Sequence, residues 1–98
     1  MKTTNEPGRV HLIVEGRVQG VGFRYFTYET ALRLGVAGWV RNRWDESVEV
    51  CAEGERAVLE NFVEQVGRGP RSAFVTRLNV EWQPATGEFN GFRIAASE

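Results

Sequence analysis

Apolar residues recur at two different spacings in the first third of the chain. Across residues 10–15 every second residue is apolar and the residues between them are mixed, which indicates a strand with one mainly apolar face and one mixed face. Across residues 23–34 apolar and small residues recur every three or four positions, which predicts an amphipathic helix that ends before Gly35. The chain therefore opens with a strand, a short glycine-containing loop and a helix.

The rest of the chain uses the same two patterns. Apolar positions near the C-terminal third change phase between Val75 and Leu78, which a β-bulge near Thr76 would produce. Alternation, glycines and turn residues predict five further elements: strands at residues 36–43, 48–53 and about 73–82, a helix between Gly54 and Gly67, and a short closing strand at residues 92–94.

This order of elements predicts the fold class. Two helices are too few to cover both faces of the sheet, so we expect both on one face. Right-handed crossovers then favour an α+β, ferredoxin-like sandwich, with two helices packed on one face of an antiparallel sheet of four strands plus a short fifth. The 98 residues suffice for one core. We expect residues 1–8 to form a flexible N-terminal lead and residues 9–98 to form one domain.

Composition excludes several classes of protein. No apolar run approaches the length of a membrane span, and the N-terminus has no apolar segment typical of a secretory signal. The net charge of −1 argues against a surface that coats nucleic acid. Cys51 is the only cysteine, so no intrachain disulfide can form and we expect a cytoplasmic protein. With His11 as the only histidine, we expect no zinc site, a buried Cys51 thiol, and His11 on the sheet face away from the helices.

The loop between the first strand and the first helix carries the strongest chemical signal. It reads GRVQGVGFR from Gly16 to Arg24. The start of a helix leaves backbone N–H groups unpaired, and Gly20 and Gly22 can adopt the positive φ that lets an anion approach them. Arg24 follows in the first helical turn, where its guanidinium can pair with two anion oxygens. The loop predicts an anion cradle; the alternative is a tight turn with Arg24 solvated or ion-paired.

Two observations narrow the class of ligand that this loop could bind. It has neither the Gly-Lys-Ser/Thr of the nucleotide-binding phosphate loop nor the third glycine of the dinucleotide fingerprint. Positive charge is also concentrated around it, since residues 16–43 contain five arginines against Glu29 as the only acidic residue. Together these features favour a small anionic ligand.

A second motif follows in the predicted second strand. It reads GWVRN from Gly38 to Asn42, with Asp45 and a Val-Glu-Val segment shortly after it. Asn42 taken alone could simply be a turn residue, because asparagine is common in turns. The spacing does not decide whether Asn42 lies beside the predicted cradle.

The two motifs together resemble those of the acylphosphatase family, and the similarity extends over residues 10–94. The resemblance implies a metal-independent hydrolase without a cofactor that splits acyl phosphates into a carboxylate and inorganic phosphate. It implies that Arg24 and Asn42 are catalytic, with Asn42 positioning the attacking water. It also implies a phosphate-binding set formed by the backbone amides of six consecutive residues and the Arg24 guanidinium: Gln19, Gly20, Val21, Gly22, Phe23 and Arg24.

The same resemblance implies a small-molecule acyl phosphate and inorganic phosphate as ligands. We also expect a monomer with no nucleic-acid or membrane partner. One departure concerns the predicted hairpin, where Glu46 stands at the position of a glycine that is common in relatives. Glutamate is a poor choice if that position needs positive φ.

Three other functions are compatible with this fold class. An RNA-binding domain of the same fold needs aromatic residues on its third strand, and residues 48–53 are acidic and contain none. The two alternatives that remain keep the anion cradle. One is a domain that handles carbamoyl phosphate, like that at the start of hydrogenase-maturation carbamoyltransferases, and the other is a phosphate-binding domain without turnover.

Overall fold

The protein is described by a computed structural model that covers residues 6–98. Its elements follow the predicted order strand, helix, strand, strand, helix, strand, with a short strand at the end. They are β1 (Pro7–Arg17), α1 (Phe23–Leu34), β2 (Ala37–Asn42), β3 (Val48–Glu55), α2 (Arg56–Arg68), β4 (Phe74–Gln83) and β5 (Phe92–Ile94).

The strands form one five-stranded sheet in the order β4-β1-β3-β2-β5. The first three neighbouring pairs in this order are antiparallel, whereas β5 runs parallel to β2. Helices α1 and α2 contact each other and pack on the strands of the sheet. The predicted ferredoxin-like α+β sandwich is therefore confirmed, including the short fifth strand.

The core lies between the two helices and the apolar face of the sheet. Alternate residues of β1 are fully buried on this face, as the period of two predicted: Val10, Leu12 and Val14. The helices contribute the residues at three- to four-residue spacing: Phe23, Thr27, Thr30 and Ala31 from α1, and Leu59, Phe62 and Val66 from α2. A buried valine, leucine or phenylalanine contributes about 1.5–3 kcal/mol relative to an exposed one, so this layer holds the helices on the sheet.

Strand β1 begins earlier than predicted. Pro7 and Gly8 are paired with Glu55 and Gly54 of β3, so these two residues of the expected N-terminal lead belong to the sheet. They find partners because β3 continues two residues beyond its predicted end. Residues 1–5 of that lead lie outside the described part of the chain.

Helix α2 is displaced by about half a turn from its predicted bounds. Gly54 pairs in the sheet and does not open the helix, which begins at Arg56. Gly67 lies inside the last turn, and Gly69 ends the helix by donating its N–H to the Gln65 carbonyl at 3.1 Å. Of the helices within residues 6–98, none is long and apolar enough to cross a membrane.

The bulge predicted in β4 is present. Glu15 of β1 is opposite Arg77, and the next residue, Gly16, is opposite Val75. Thr76 is therefore an extra residue on β4, which explains why the apolar positions of that strand change phase. The bulge lies where β1 ends and the loop toward α1 begins.

Candidate active site

The loop from β1 to α1 leaves a set of backbone amides free. Gly20 and Gly22 have φ values of 75° and 78°, in the left-handed region that glycine allows. Gly22 is the N-cap of α1, and the first helical hydrogen bond runs from the Phe26 N–H to its carbonyl at 3.0 Å. Within residues 6–98, the backbone N–H groups of residues 19–24 have no hydrogen-bond acceptor. These amides and the positive end of the helix dipole are suited to an anion.

A cavity of about 250 Å³ opens at this loop. Its wall combines the glycines of the loop, the first turn of α1, the end of β2 and the last residue of β5: Val18, Gly20, Gly22, Phe23, Arg24, Tyr25, Asn42 and Ile94. The structure thus places Asn42 beside the loop, a relationship that the spacing left open. Gln19 and Val21 belong to the same loop but do not line this cavity.

Arg24 lies half-exposed in the first turn of α1. Over residues 6–98 it makes no ion pair and no side-chain hydrogen bond, so the alternative of an ion-paired Arg24 finds no support there. Other arginines of the basic segment are engaged elsewhere: Arg33 donates to the Gln65 side chain at 2.7 Å, and Arg41 to Glu49 at 2.8 Å. The positive charge available to the cavity therefore comes chiefly from Arg24.

Asn42 is the last residue of β2, and its backbone carbonyl accepts a hydrogen bond from the Glu98 N–H at 3.0 Å. Its side-chain Oδ1 is buried and has no hydrogen-bond partner within residues 6–98. A buried polar atom left unpaired costs about 1–3 kcal/mol, so this acceptor, on a residue that lines the cavity, is suited to a bound donor.

The turn after Asn42 is closed by two backbone hydrogen bonds. The Arg43 N–H donates to the Ser47 carbonyl at 2.9 Å, and the Glu46 N–H donates to the Arg43 carbonyl at 3.1 Å. Glu46 has a φ of 73°, the only non-glycine residue with positive φ in residues 6–98. The turn therefore does need positive φ at this position, and the glutamate there is strained by about 1–2 kcal/mol.

The side chain of Asp45 stabilises this strained turn. Its Oδ1 accepts hydrogen bonds from the Ser47 hydroxyl at 2.5 Å and from the Ser47 backbone N–H at 3.1 Å. These two hydrogen bonds lower the pKa of the Asp45 carboxyl below its ordinary value. The carboxylate is thereby kept ionised where it caps the turn.

Three apolar residues of the cavity wall were not among the predicted site residues. Val18 and Tyr25 lie within or beside the first motif, so their positions could have been extrapolated from it. Ile94 could not, because it reaches the cavity through the parallel pairing of β5 with β2, where it is opposite Val40. Tyr25 and Ile94 are both largely exposed and give the cavity an apolar rim.

His11 and Cys51 lie on the opposite face of the sheet from the helices. His11 is on that face as predicted, with its Nε2 2.6 Å from a carboxylate oxygen of Glu49. Cys51 is buried as predicted, and burial raises the pKa of its thiol. The described residues contain no group of three or more His, Cys, Asp or Glu side chains that could hold a metal ion.

This chain is similar in both sequence and fold to acylphosphatases. The sequence matches the family model for acylphosphatases over residues 10–94. An acylphosphatase of Pelotomaculum thermopropionicum is 52% identical over 87 residues, 89% of this chain and 95% of that protein. One of Salinibacter ruber is 50% identical over 94 residues, 96% of this chain and 98% of that protein.

Solved structures give the same result. The crystal structure of acylphosphatase from Bacillus subtilis superposes with a TM-score of 0.87 at 42% identity, covering 90% of this chain and 98% of that one. The motifs, the fold and these relatives agree over nearly the whole chain. The chain belongs to the acylphosphatase family and is an enzyme that hydrolyses acyl phosphates.

Proposed function

We propose that this enzyme holds the phosphoryl group of its substrate with backbone amides and Arg24, uses Asn42 to position the attacking water, and needs no metal ion. The observation that carries the proposal is that Arg24, the glycine loop and Asn42 line one cavity although they belong to different elements. Phosphoryl transfer requires mainly positioning and charge stabilisation, and this cavity offers a group for each.

The cradle provides the positive charge that stabilises the phosphoryl oxygens. The N–H groups of residues 19–24 are not used within the described chain, and the Arg24 guanidinium beside them is unpaired there. Both are aligned before the substrate arrives, so they stabilise charge on the phosphoryl oxygens with little reorganisation. Arg24 adds a planar donor pair that fits two of these oxygens.

In this proposal Asn42 orients the attacking water. Its buried Oδ1 is a free acceptor, so a water that donates one hydrogen to it is oriented with an oxygen lone pair toward the phosphorus. A bond then forms between the water oxygen and phosphorus, and the bond from phosphorus to the acyl oxygen breaks. The electron pair leaves with the carboxylate, and the proton of the water passes to a non-bridging oxygen of the phosphate. Because a carboxylate is a weak base, its departure needs no general acid.

The same arrangement supports the proposal that the enzyme needs no metal ion. In kinases and nucleotide hydrolases a magnesium ion neutralises charge on the phosphoryl oxygens. Here the amides of residues 19–24 and Arg24 provide positive charge at the equivalent place. We propose that they replace the ion, and that the enzyme works as a monomer on small-molecule acyl phosphates with no nucleic-acid or membrane partner. The buried free thiol of Cys51 fits a reducing cytoplasm as its compartment.

The two alternatives differ from this proposal in what they require of the cavity. A phosphate-binding domain without turnover needs the amides and Arg24 but has no use for the buried acceptor of Asn42. A domain that handles carbamoyl phosphate needs the same cradle with a smaller acyl group. The exposed apolar side chains of Tyr25 and Ile94 at the rim favour a larger acyl group.

The deciding experiment is release of inorganic phosphate from benzoyl phosphate by the purified enzyme in the presence of a chelator, with carbamoyl phosphate as a second substrate. We expect turnover of benzoyl phosphate that is unchanged by chelation and is not raised by added magnesium or zinc. Activity lost with the chelator and restored by one cation would overturn metal independence. Phosphate binding without turnover of either substrate would overturn the catalytic proposal.

A further inference from the structure

The side chain of Gln19 connects the glycine loop to the β2–β3 hairpin. Its Nε2 lies 2.8 Å from the carbonyl oxygen of Arg43 and 2.8 Å from that of Ser47. One amide group thus donates both of its hydrogens to the two ends of the turn. Gln19 is half-buried, and it belongs to the cradle through its backbone N–H.

The position of these two carbonyls shows how the contact can affect Asn42. Arg43 directly follows Asn42, so an atom that holds the Arg43 carbonyl also restrains the peptide plane that leaves Asn42. The bonds between Arg43, Glu46 and Ser47 close the turn upon itself and do not restrain its position relative to the loop. Across residues 6–98, the two Gln19 bonds are the side-chain hydrogen bonds that join the loop of residues 18–22 to the hairpin.

We propose that Gln19 is a positioning residue for hydrolysis, which sets the distance between Asn42 and the phosphate cradle. The inference rests on the proposed role of Asn42, because Gln19 acts on the reaction only through it. Its side chain lies outside the cavity wall and touches no reacting atom. Loss of its two hydrogen bonds leaves the end of β2 held by its pairing with β3 and by Glu98, but removes the side-chain link that fixes its position relative to the glycine loop.

The expected consequence is a loss of turnover without a matching loss of phosphate binding. A displacement of about 1 Å in a reacting group can reduce the rate by about 100-fold. Gln19→Leu removes both donors and leaves an aliphatic side chain that is one bond shorter. We expect kcat to fall by about 10- to 100-fold, while inhibition by inorganic phosphate stays close to that of the wild type.

Gln65→Leu provides the matched control. It is the same substitution on α2, where the Gln65 side chain contacts Asn61 and Arg33. This variant should lose some stability and keep the wild-type kcat per folded molecule. Melting temperature, kcat and phosphate inhibition are measured on the same preparations, and kcat is calculated per folded molecule.

A double-mutant cycle tests whether Gln19 acts through Asn42. Residues that act as a unit show strongly non-additive effects on kcat. We therefore expect Gln19→Leu to reduce kcat in the wild-type background but to have little further effect in Asn42→Ala. Equal losses in both backgrounds would show that Gln19 acts independently of Asn42 and would overturn the inference.

Gln19→Glu gives a second test that does not depend on Gln19→Leu folding well. An ionised carboxylate facing two carbonyl oxygens is repelled, whereas a protonated one can donate one hydrogen bond. The kcat of this variant should rise relative to the wild type as the pH is lowered. If both Gln19 variants keep the wild-type kcat and Asn42→Ala is impaired, the role of Gln19 is refuted but the proposed mechanism is not. If Asn42→Ala keeps the wild-type kcat, the proposed mechanism itself is refuted.

Discussion

Arg24 lies in the first turn of helix α1 and Asn42 ends strand β2, yet both residues line one cavity. Arg24 brings a positive charge that is unpaired within residues 6–98, and Asn42 brings a buried acceptor. The first group is suited to holding the phosphoryl oxygens and the second to orienting water. Substitutions at the two positions should therefore separate binding from chemistry.

Arg24→Gln should remove most of the turnover and weaken phosphate binding together. In the proposed mechanism the guanidinium contacts the phosphoryl group in both the ground state and the transition state, and a hydrogen bond to a charged group contributes about 1.5–3 kcal/mol. The fold should persist because Arg24 lies at the loop-to-helix junction outside the core. Arg33→Gln, at the other end of the same helix, is the control. A well-folded Arg24→Gln variant with wild-type kcat/KM would contradict the cradle.

Asn42→Ala should lower kcat strongly and change phosphate inhibition much less. An interaction that orients water matters along the reaction path, and removing a comparable preorganised group costs about 10²–10³ in rate. Asn79→Ala on the exposed face of β4 makes the same substitution away from the site and serves as control. If Asn42→Ala lowers the melting temperature but leaves kcat unchanged, Asn42 only shapes the hairpin.

Glu46→Gly should stabilise the protein. The residue has a φ of 73°, and glycine adopts this conformation without the steric penalty of a Cβ atom. We expect a gain of about 1 kcal/mol in the free energy of unfolding, measured by denaturant titration. Glu46→Ala removes the carboxylate but keeps the Cβ atom, so it should give no such gain. An equal gain in both variants would assign the effect to charge and not to the backbone.

Stability should fall in acid partly because of Glu53. Burial alone would raise the pKa of this carboxyl, but hydrogen bonds from the Thr86 and Gly87 backbone, the Thr86 hydroxyl and Arg9 outweigh it, so the pKa is lowered. A carboxyl with a lowered pKa in the folded state stabilises the fold above its unfolded pKa, near 4.5, and this contribution is lost as the pH falls through the folded value.

The measurement is the free energy of unfolding between pH 7 and pH 3. Glu53→Gln should be less stable by about 1–3 kcal/mol at pH 7, since buried donors lose their partner, and its stability should change less with pH. Glu60→Gln, at an exposed position on α2, is the control. A pH dependence in Glu53→Gln equal to that of the wild type would show that Glu53 is not the group concerned.

The elements of the fold were predicted well because local patterns determine them. The bounds of α1 were predicted correctly since an apolar stripe, a glycine loop before it and Gly35 after it all agree. The bulge at Thr76 was predicted because it changes which residues of β4 face inward. The start of β1 and the start of α2 were missed for one reason: Gly54 pairs with Gly8 across the sheet, and a glycine that pairs in a strand looks like a helix boundary in the sequence.

The site was predictable as two motifs but not as one cavity. The loop residues and Asn42 are identified by type and spacing, whereas their proximity depends on how β1, β3 and β2 align side by side. Ile94 reaches the cavity through a parallel strand pairing that no local pattern encodes. The bridge from Gln19 to the hairpin depends on a side-chain direction, which the sequence leaves free.

The strand order also bears on how the molecule folds. The interior strand β1 pairs with β3 and β4 and not with β2, the next strand along the chain, so the sheet is held by contacts between distant segments. Such topologies fold more slowly than helical bundles, because long loops must close before the contacts form. The loop that follows β1 meets the end of β2 only after both strands have joined β3. During refolding, catalytic competence should therefore arise with the last cooperative step and not with early formation of α1.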